Sequence, residues 1–280
     1  FGGDKEMEDR ILEMLRIGED IWDKMRKKKP LIYHITNFVA MPEQAHITIA
    51  IGASPVMALS PDEARDMCAI SNALLINIGT PSQEQFETMK QALMTANEKD
   101  IPVLLDPVGY GATPFRNYVV DELLKIGRFT VIKGNSGEIM ALAGNSGTVR
   151  GVDAVTEENR GLIETVRSIS ERYGTIVIAT GEEDFISNGV EVFSIRGGSK
   201  ILRKITGSGC MAGSIVASLL GIKEDPLISS ITGVIALKAA AKRADQRSSG
   251  PGSFRMHLFD ELAILKGEDI IKEGDIVVWT

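Results

Sequence analysis

The sequence predicts an α/β fold: a mostly parallel central sheet covered by helices on both faces, with a β-hairpin added near one edge. Three observations lead there. Short apolar runs rich in Ile and Val recur at residues 31–35, 55–58, 73–78, 102–105, 130–132 and 175–179, and helical stretches with start signals separate most of them. The runs are continuous rather than alternating, as strands buried on both faces require. Residues 184–195 depart from this, alternating about Asn188-Gly189 as a hairpin does.

Taken in order, residues 5–28 place Met7, Ile11, Met14, Leu15, Ile21, Trp22 and Met25 at helical spacing, an amphipathic first helix. The one basic run, Arg26-Lys27-Lys28-Lys29, ends that helix, where cations suit the dipole. Ser60-Pro61-Asp62-Glu63 and Thr80-Pro81-Ser82-Gln83 read as capping boxes with Pro at the first helical position. Asn135 with Glu138, and Thr156 before Glu157-Glu158, mark two further starts. Helices are expected over 209–221, 226–247 and 255–265, and residues 270–280 read as a short strand or a tail. No linker, low-complexity stretch or repeat interrupts the chain, so residues 1–280 are expected to form one domain.

Bulk chemistry narrows the function. The net charge is −7, from 31 Lys and Arg against 38 Asp and Glu, and no basic cluster suits a phosphate backbone. Aromatics at 5% give little to stack bases on. No run approaches the roughly 18 apolar residues of a membrane span, and the charged opening does not read as a secretory signal. Cys68 and Cys210 make neither a zinc pattern nor a disulfide framework. A cytoplasmic protein without nucleic-acid or membrane partners is expected.

In an open parallel sheet, ligands sit outside the carboxyl ends of the strands. The polar residues there are Thr36-Asn37, Asn77, Asp106, Lys133-Gly134-Asn135 and Thr180-Gly181-Glu182, with Met57 beside them. The strongest single feature is Thr206-Gly207-Ser208-Gly209-Cys210, opening a helix of small residues. Free amides and the helix dipole at such a turn attract a phosphate. It is neither a Walker A loop nor a dinucleotide fingerprint, because no Lys-Ser/Thr follows and it lies late in the chain. Cys210, in the first helical turn, is either a thiol with thiolate character able to accept a hydroxyl proton or a small buried hydrophobe. Cys68 reads as packing. Asp106, before the flexible Pro107-Val108-Gly109-Tyr110-Gly111, suits magnesium directly or through water. Glu138 is a second metal candidate or simply a capping-box glutamate. Lys133 either neutralises phosphate or snorkels at the surface. His34, His46 and His257 show no ligand spacing, and His34 and His257 read as structural.

These segments together resemble hydroxyethylthiazole kinases over residues 30–265. The resemblance is carried by Ile35-Thr36-Asn37, Gly52-Ala53-Ser54-Pro55-Val56-Met57-Ala58, Leu75-Ile76-Asn77-Ile78-Gly79-Thr80 and Leu105-Asp106-Pro107-Val108-Gly109. It continues through Gly111-Ala112-Thr113-Pro114-Phe115-Arg116, Lys133-Gly134-Asn135 with Glu138, Thr180-Gly181-Glu182, Thr206-Gly207-Ser208-Gly209-Cys210 and Gly250-Pro251-Gly252-Ser253-Phe254. It implies a ribokinase-like fold and transfer of the γ-phosphate of ATP, with Mg2+, to the hydroxyl of 4-methyl-5-(2-hydroxyethyl)thiazole. It also implies a homotrimer with active sites at subunit interfaces. By resemblance, Met57 and Gly207 contact the thiazole, with Asn37 and His46 on that side, and Lys133 and Thr180 contact ATP. Asp106 and Glu138 fall near magnesium and phosphates. Cys210 stands where other ribokinase-like kinases often place an Asp base, with the Gly207 and Gly209 amides stabilising the transferring group. Relatives often carry Arg at the Lys133 position, and Asn where Pro42 and His46 stand in Val39-Ala40-Met41-Pro42-Glu43-Gln44-Ala45-His46. The alternatives are a ribokinase-like kinase for another small alcohol and a non-catalytic nucleotide- or thiazole-binding module.

Overall fold

Side chains of the central strands divide by parity between two cores. Ile32, Leu75, Leu104, Val131, Ile176 and Ile178 enter one; Tyr33, Leu74, Leu105, Ile132 and Val177 enter the other. With both phases buried, no polar alternation survives, which is why these strands read as unbroken apolar runs.

The computed structural model describes residues 2–144 and 155–279. The chain begins α1 (Gly2–Lys28), β1 (Leu31–Ile35), α2 (Met41–Ala50), β2 (Ser54–Val56), α3 (Ala64–Ile70), β3 (Ala73–Asn77) and α4 (Gln83–Glu98). It continues β4 (Val103–Asp106), α5 (Pro114–Ile126), β5 (Val131–Asn135), α6 (Ser136–Leu142), α7 (Val155–Tyr173) and β6 (Ile176–Thr180). Then come β7 (Asp184–Ser187), β8 (Val192–Ile195), a 3-10 helix (Lys200–Lys204) and α8 (Ser208–Leu220). It closes with α9 (Pro226–Gln246), α10 (Pro251–Ile264), α11 (Gly267–Glu273) and β9 (Ile276–Trp279). The sheet order is β2-β1-β3-β4-β5-β6-β7-β8-β9. Pairing is parallel from β2 to β6 and antiparallel from there to β9. Helices α1, α2 and α8–α11 cover the Leu75 face, and α3–α7 cover the other.

The expected mostly parallel sheet and its hairpin edge are therefore present. Pro55 is tolerated because β2 is an edge strand. The basic end of α1 has a local purpose: Arg26 donates to Ala263 O at 2.8 Å and Leu265 O at 3.1 Å, capping the carbonyl end of α10. Two start signals require correction. After Ser60 the chain makes a turn, with Asp62 N on Ser60 Oγ at 3.3 Å, and α3 begins only at Ala64 without a side-chain cap. At α4 the cap is Ser82, accepting from Gln85 N, not Thr80. The capping box of Asn135 and Glu138 is formed in full. The signal at Thr156 abuts residues outside the described range, and α7 begins at Val155. Residues 270–280 are neither wholly strand nor tail, since α11 runs to Glu273 before β9 pairs with β8. Among the described residues no helix is long and apolar enough to cross a membrane.

Candidate active site

The chain leaves β1 for β2 on one side and returns to β3 on the other, so a crevice opens at the carboxyl ends of β1 and β3. Parity decides which side chains face it. Ile76, Leu105 and Ile132 point into the α3–α7 core, so the next residues, Asn77, Asp106 and Lys133, take the phase facing α8. Asn77 and Asp106 are register partners, and Leu105 pairs with Ile132, which brings Lys133 beside Asp106. The result is a polar row across three strands, exposed by only 1%, 1% and 2% respectively. A surface-snorkelling Lys133 is thereby ruled out.

Every member of the row is held by another. Lys133 Nζ lies 3.2 Å from Asp106 Oδ2, which also accepts from Asn77 Nδ2 at 3.0 Å. Asn77 Oδ1 accepts from Gly79 N at 3.0 Å and from Asn37 Nδ2 at 2.7 Å. With its oxygen fixed by a backbone amide, the amide nitrogen of Asn77 must face Asp106 and Cys210. It reaches Cys210 Sγ at 3.2 Å, and Asn37 Nδ2 approaches the same sulfur at 3.6 Å. Asn37 also folds its own turn, its Oδ1 accepting from Val39 N and Ala40 N.

The glycine turn closes over this row. Gly207 is the N-cap of α8 with φ +79°, a conformation glycine adopts without strain, and a Cβ there would stand 3.1 Å from Ala40 Cβ. The first intrahelical bond is Met211 N to Gly207 O. The amides of Ser208, Gly209 and Cys210 precede it and point out of the helix. A Cβ at Gly209 would meet only Lys133 Nζ, at 3.7 Å. Gln44 Nε2 fixes the turn by donating to Cys210 O at 3.1 Å.

Electrostatics alter one expectation. Burial, then the Asp106 charge, push the Cys210 thiol up, against Lys133 and the two asparagine amides. The helix dipole does not make a ready thiolate here. Burial also raises Asp106 to about 6, with Lys133 opposing and Glu138 adding to the rise. Burial works against the Lys133 ammonium, but Asp106, Cys210 and Glu138 outweigh it and hold its pKa above the ordinary lysine value.

Loops on either side are strapped in place. Glu138 spends both oxygens on backbone amides, Gly109 N and Asn135 N, each at 2.8 Å. Arg116 donates to Ile78 O at 3.0 Å, Val108 O at 2.7 Å and Gly79 O at 2.7 Å, joining the loops after β3 and β4. At β6, the Thr180 hydroxyl donates to Gly134 O at 3.2 Å.

Comparison with known proteins decides what this arrangement belongs to. The hydroxyethylthiazole kinase family model matches residues 22–268. This chain belongs to the hydroxyethylthiazole kinase family. It is 41% identical to the hydroxyethylthiazole kinase of Caldivirga maquilingensis over 91% of this chain and 94% of that protein. It is 43% identical to that of Archaeoglobus fulgidus, over 87% and 90%. The solved hydroxyethylthiazole kinase protein of Pyrococcus horikoshii superposes with a TM-score of 0.87 at 32% identity, covering 94% of this chain and 99% of that one. The α/β architecture with its antiparallel edge is accordingly the ribokinase-like fold.

Within this family member, the structure gathers Asn37, Asp106, Lys133, Gly207, Gly209 and Cys210 at the carboxyl ends of the central strands, with Glu138 in the first turn of α6 and Thr180 at the end of β6. Met57 follows β2 at the same end of the sheet, half-buried. His46 does not join them. It is exposed on α2, its ring edge-on to Phe259 at 6.1 Å, and it lies two residues, more than half a helical turn, from the inward Gln44. His34 is structural, as expected: its Nδ1 meets Ile32 O and its Nε2 meets Ser214 Oγ, both at 3.1 Å. Cys68 packs beneath α4, its thiol donating to Ala92 O. Sequence reasoning placed Asn77 among the strand-end polar residues without a specific task, and gave none to Gln44 or Arg116. Parity was the available signal for Asn77, a lone amide in the α8-facing phase of an apolar strand.

Proposed function

We propose that this chain transfers the γ-phosphoryl group of ATP to the hydroxyl of 4-methyl-5-(2-hydroxyethyl)thiazole, producing the thiazole phosphate used in thiamine biosynthesis. The observation that carries the reading is the buried Asn77–Asp106–Lys133 row closed by Cys210 and the α8 turn. It sets a fixed cation and outward amides around a single point, as phosphoryl transfer requires. The thiazole lies on the Asn37, Met57 and Gly207 side, and ATP lies towards Lys133 and Thr180.

Each group has a task. The acceptor oxygen forms its bond to the γ-phosphorus as the bond to the ADP oxygen breaks. The amides of the Gly207–Gly209 turn and the Lys133 ammonium face the charge on the transferring group. Cys210 stands beside the acceptor hydroxyl, its sulfur oriented by Asn77 and Asn37, and only its thiolate form can take the hydroxyl proton. Because its thiol is pushed up, positioning and charge stabilisation do most of the acceleration. Magnesium, when bound, neutralises and orients the nucleotide phosphates. Among the described residues no group of three or more His, Cys, Asp or Glu could hold a metal. One buried carboxylate, with a second already committed to amides, fits an ion that arrives on the phosphates and keeps its waters. Asp106 and Glu138 are the residues that would hold it.

We further read the chain as one kinase domain that assembles as a homotrimer. Phe38 and Val39 beside the site, and Ile49 and Met256 on the adjoining α2 and α10, are apolar and more than half exposed, which supports burial against another copy. The test of function is an acceptor panel with ATP and magnesium: hydroxyethylthiazole beside hydroxymethylpyrimidine and a sugar. Thiazole phosphate as the dominant product is expected. Preference for another alcohol would reject the substrate assignment, and ATP binding without any product would favour a binding module.

A further inference from the structure

Lys238 lies in the alanine-rich middle of α9, yet its ammonium is buried and fully partnered. Its side chain is 8% exposed, and that of Asp184 is 10%. Lys238 Nζ lies 3.3 Å from Asp184 Oδ2, 3.1 Å from Glu182 O and 3.4 Å from Gly197 O. Three acceptors match the three donors of an ammonium. The acceptors come from different loops: Glu182 from the β6–β7 connection, Gly197 from the segment between β8 and the 3-10 helix. The second carboxylate oxygen, Asp184 Oδ1, accepts from Gly181 N at 2.7 Å. Gly197 and Gly198 both have left-handed φ, +98° and +88°, and a Cβ on Gly198 would stand 3.3 Å from Lys238 Cγ. The backbone thus passes tightly over the lysine.

These two loops flank the nucleotide end of the site. One begins directly after Thr180. The other runs through the 3-10 helix into the Gly207 turn. A single ammonium therefore ties the end of β6 to the segment that delivers the phosphate-facing amides. A buried ion pair seldom stabilises a fold more than apolar residues of the same volume would, whereas its geometry is fixed in several directions at once.

We propose that Lys238 and Asp184 are positioning residues for ATP, holding loops 181–183 and 196–199 at the separation that the nucleotide needs. The proposal rests on the reading that ATP lies at the carboxyl ends of β5 and β6.

The test compares Lys238→Met, Asp184→Asn, the double variant and Thr180→Val by steady-state kinetics and thermal unfolding. Lys238→Met is expected to raise KM for ATP about tenfold while kcat and KM for the thiazole change less than about threefold. The double variant, which no longer buries an unpaired charge, is expected to regain thermal stability but not the ATP KM. Should Lys238→Met fail to fold, Asp184→Asn, which keeps the acceptor for Gly181 N, and the double variant carry the same comparison. Equal loss in kcat and in both KM values, or recovery of the ATP KM along with stability in the double variant, would overturn the positioning role. Thr180→Val separates the two readings. If it leaves the ATP KM unchanged, the placement of ATP fails and this proposal with it. If it raises that KM while Lys238→Met does not, this proposal alone fails.

Discussion

In the proposed reaction Cys210 holds the point where proton and phosphoryl transfer meet, and its surroundings determine how much it contributes. Burial and Asp106 keep it a thiol, while the Asn77 and Asn37 amides orient its sulfur. Cys210→Ala is therefore expected to keep measurable transfer, a decrease of the order of 10²-fold typical of a lost acid–base group. Cys210→Asp is expected to match or exceed the wild type; both follow from kcat at saturating substrates. Complete loss in a folded Cys210→Ala protein would make the thiol an obligatory base. At His34 the chemistry concerns stability. Burial lowers its pKa to about 4, against the carbonyl of Ile32. Between pH 4 and the ordinary value near 6.5 the unfolded chain binds the proton and the folded one does not, so stability rises with pH through that window. The contribution is complete above about pH 6.5 and lost below about 4, amounting to about 3 kcal/mol. Asp106, raised to about 6, acts with the opposite sign, its contribution complete at low pH and lost as pH rises through 6. A difference measurement isolates the histidine: the advantage of wild type over His34→Gln in urea unfolding should shrink by about 3 kcal/mol from pH 7 to pH 4. A difference independent of pH would refute the assignment. At this scale the sequence showed which polar residues end the strands, but not their burial. Lys133 was open between a phosphate partner and a surface lysine, and Lys238 carried no local signal, because pairing with Asp106 and Asp184 depends on strands and helices far away in sequence.

Between elements, the close approach of helices to each other and to the sheet rests on glycines with contrasting surroundings. A Cβ at Gly233 in α9 would come within 2.8 Å of Val216 Cγ2 and 3.2 Å of its backbone Cα in α8. At Gly213 in α8 the nearest atoms, in Leu75, Leu104 and Asp106, stay at 3.5–3.7 Å, ordinary contact. Helix propensity favours Ala over Gly at both by up to about 1 kcal/mol. Gly213→Ala should thus be neutral or slightly stabilising, whereas Gly233→Ala should cost about 1–2 kcal/mol through overpacking. Chemical denaturation of the two variants checks this, and equal effects would show that the α8–α9 contact is not tight. Element boundaries were legible where two signals agreed, as at Asn135 with Glu138. They failed at Ser60, where the same Ser-Pro-x-Glu pattern that starts a helix also closes a turn, and only the packing of α3 on α4 chooses between them. His46 shows a different gap. Its motif position implied the substrate side, but which face of α2 it occupies depends on Gln44 being drawn inward by Cys210.

For the whole molecule, the parallel sheet gives the site its place and the antiparallel edge supplies the loops at its proposed nucleotide end. The parallel strands and the hairpin were readable because buried parallel strands and Asn-Gly turns leave composition patterns that distant contacts do not disturb, whereas the strand order was not, since it depends on which crossover goes to which side of β1. β9 was half-readable, since its pairing with β8 closes the sheet across the length of the chain. The proposed mechanism rests on the α8 turn above Lys133 stabilising the transferring phosphoryl group. Gly209 tests it most directly: its Cβ would enter only the space before Lys133, and its φ is not left-handed, so a side chain there should spare the fold. Transfer of labelled γ-phosphate from ATP to hydroxyethylthiazole should be measured for wild type and Gly209→Val at matched thermal stability. The expected result is labelled thiazole phosphate from the wild type and a loss of about 10²–10³-fold or more in the variant. Wild-type transfer by folded Gly209→Val would exclude that role for the α8 turn.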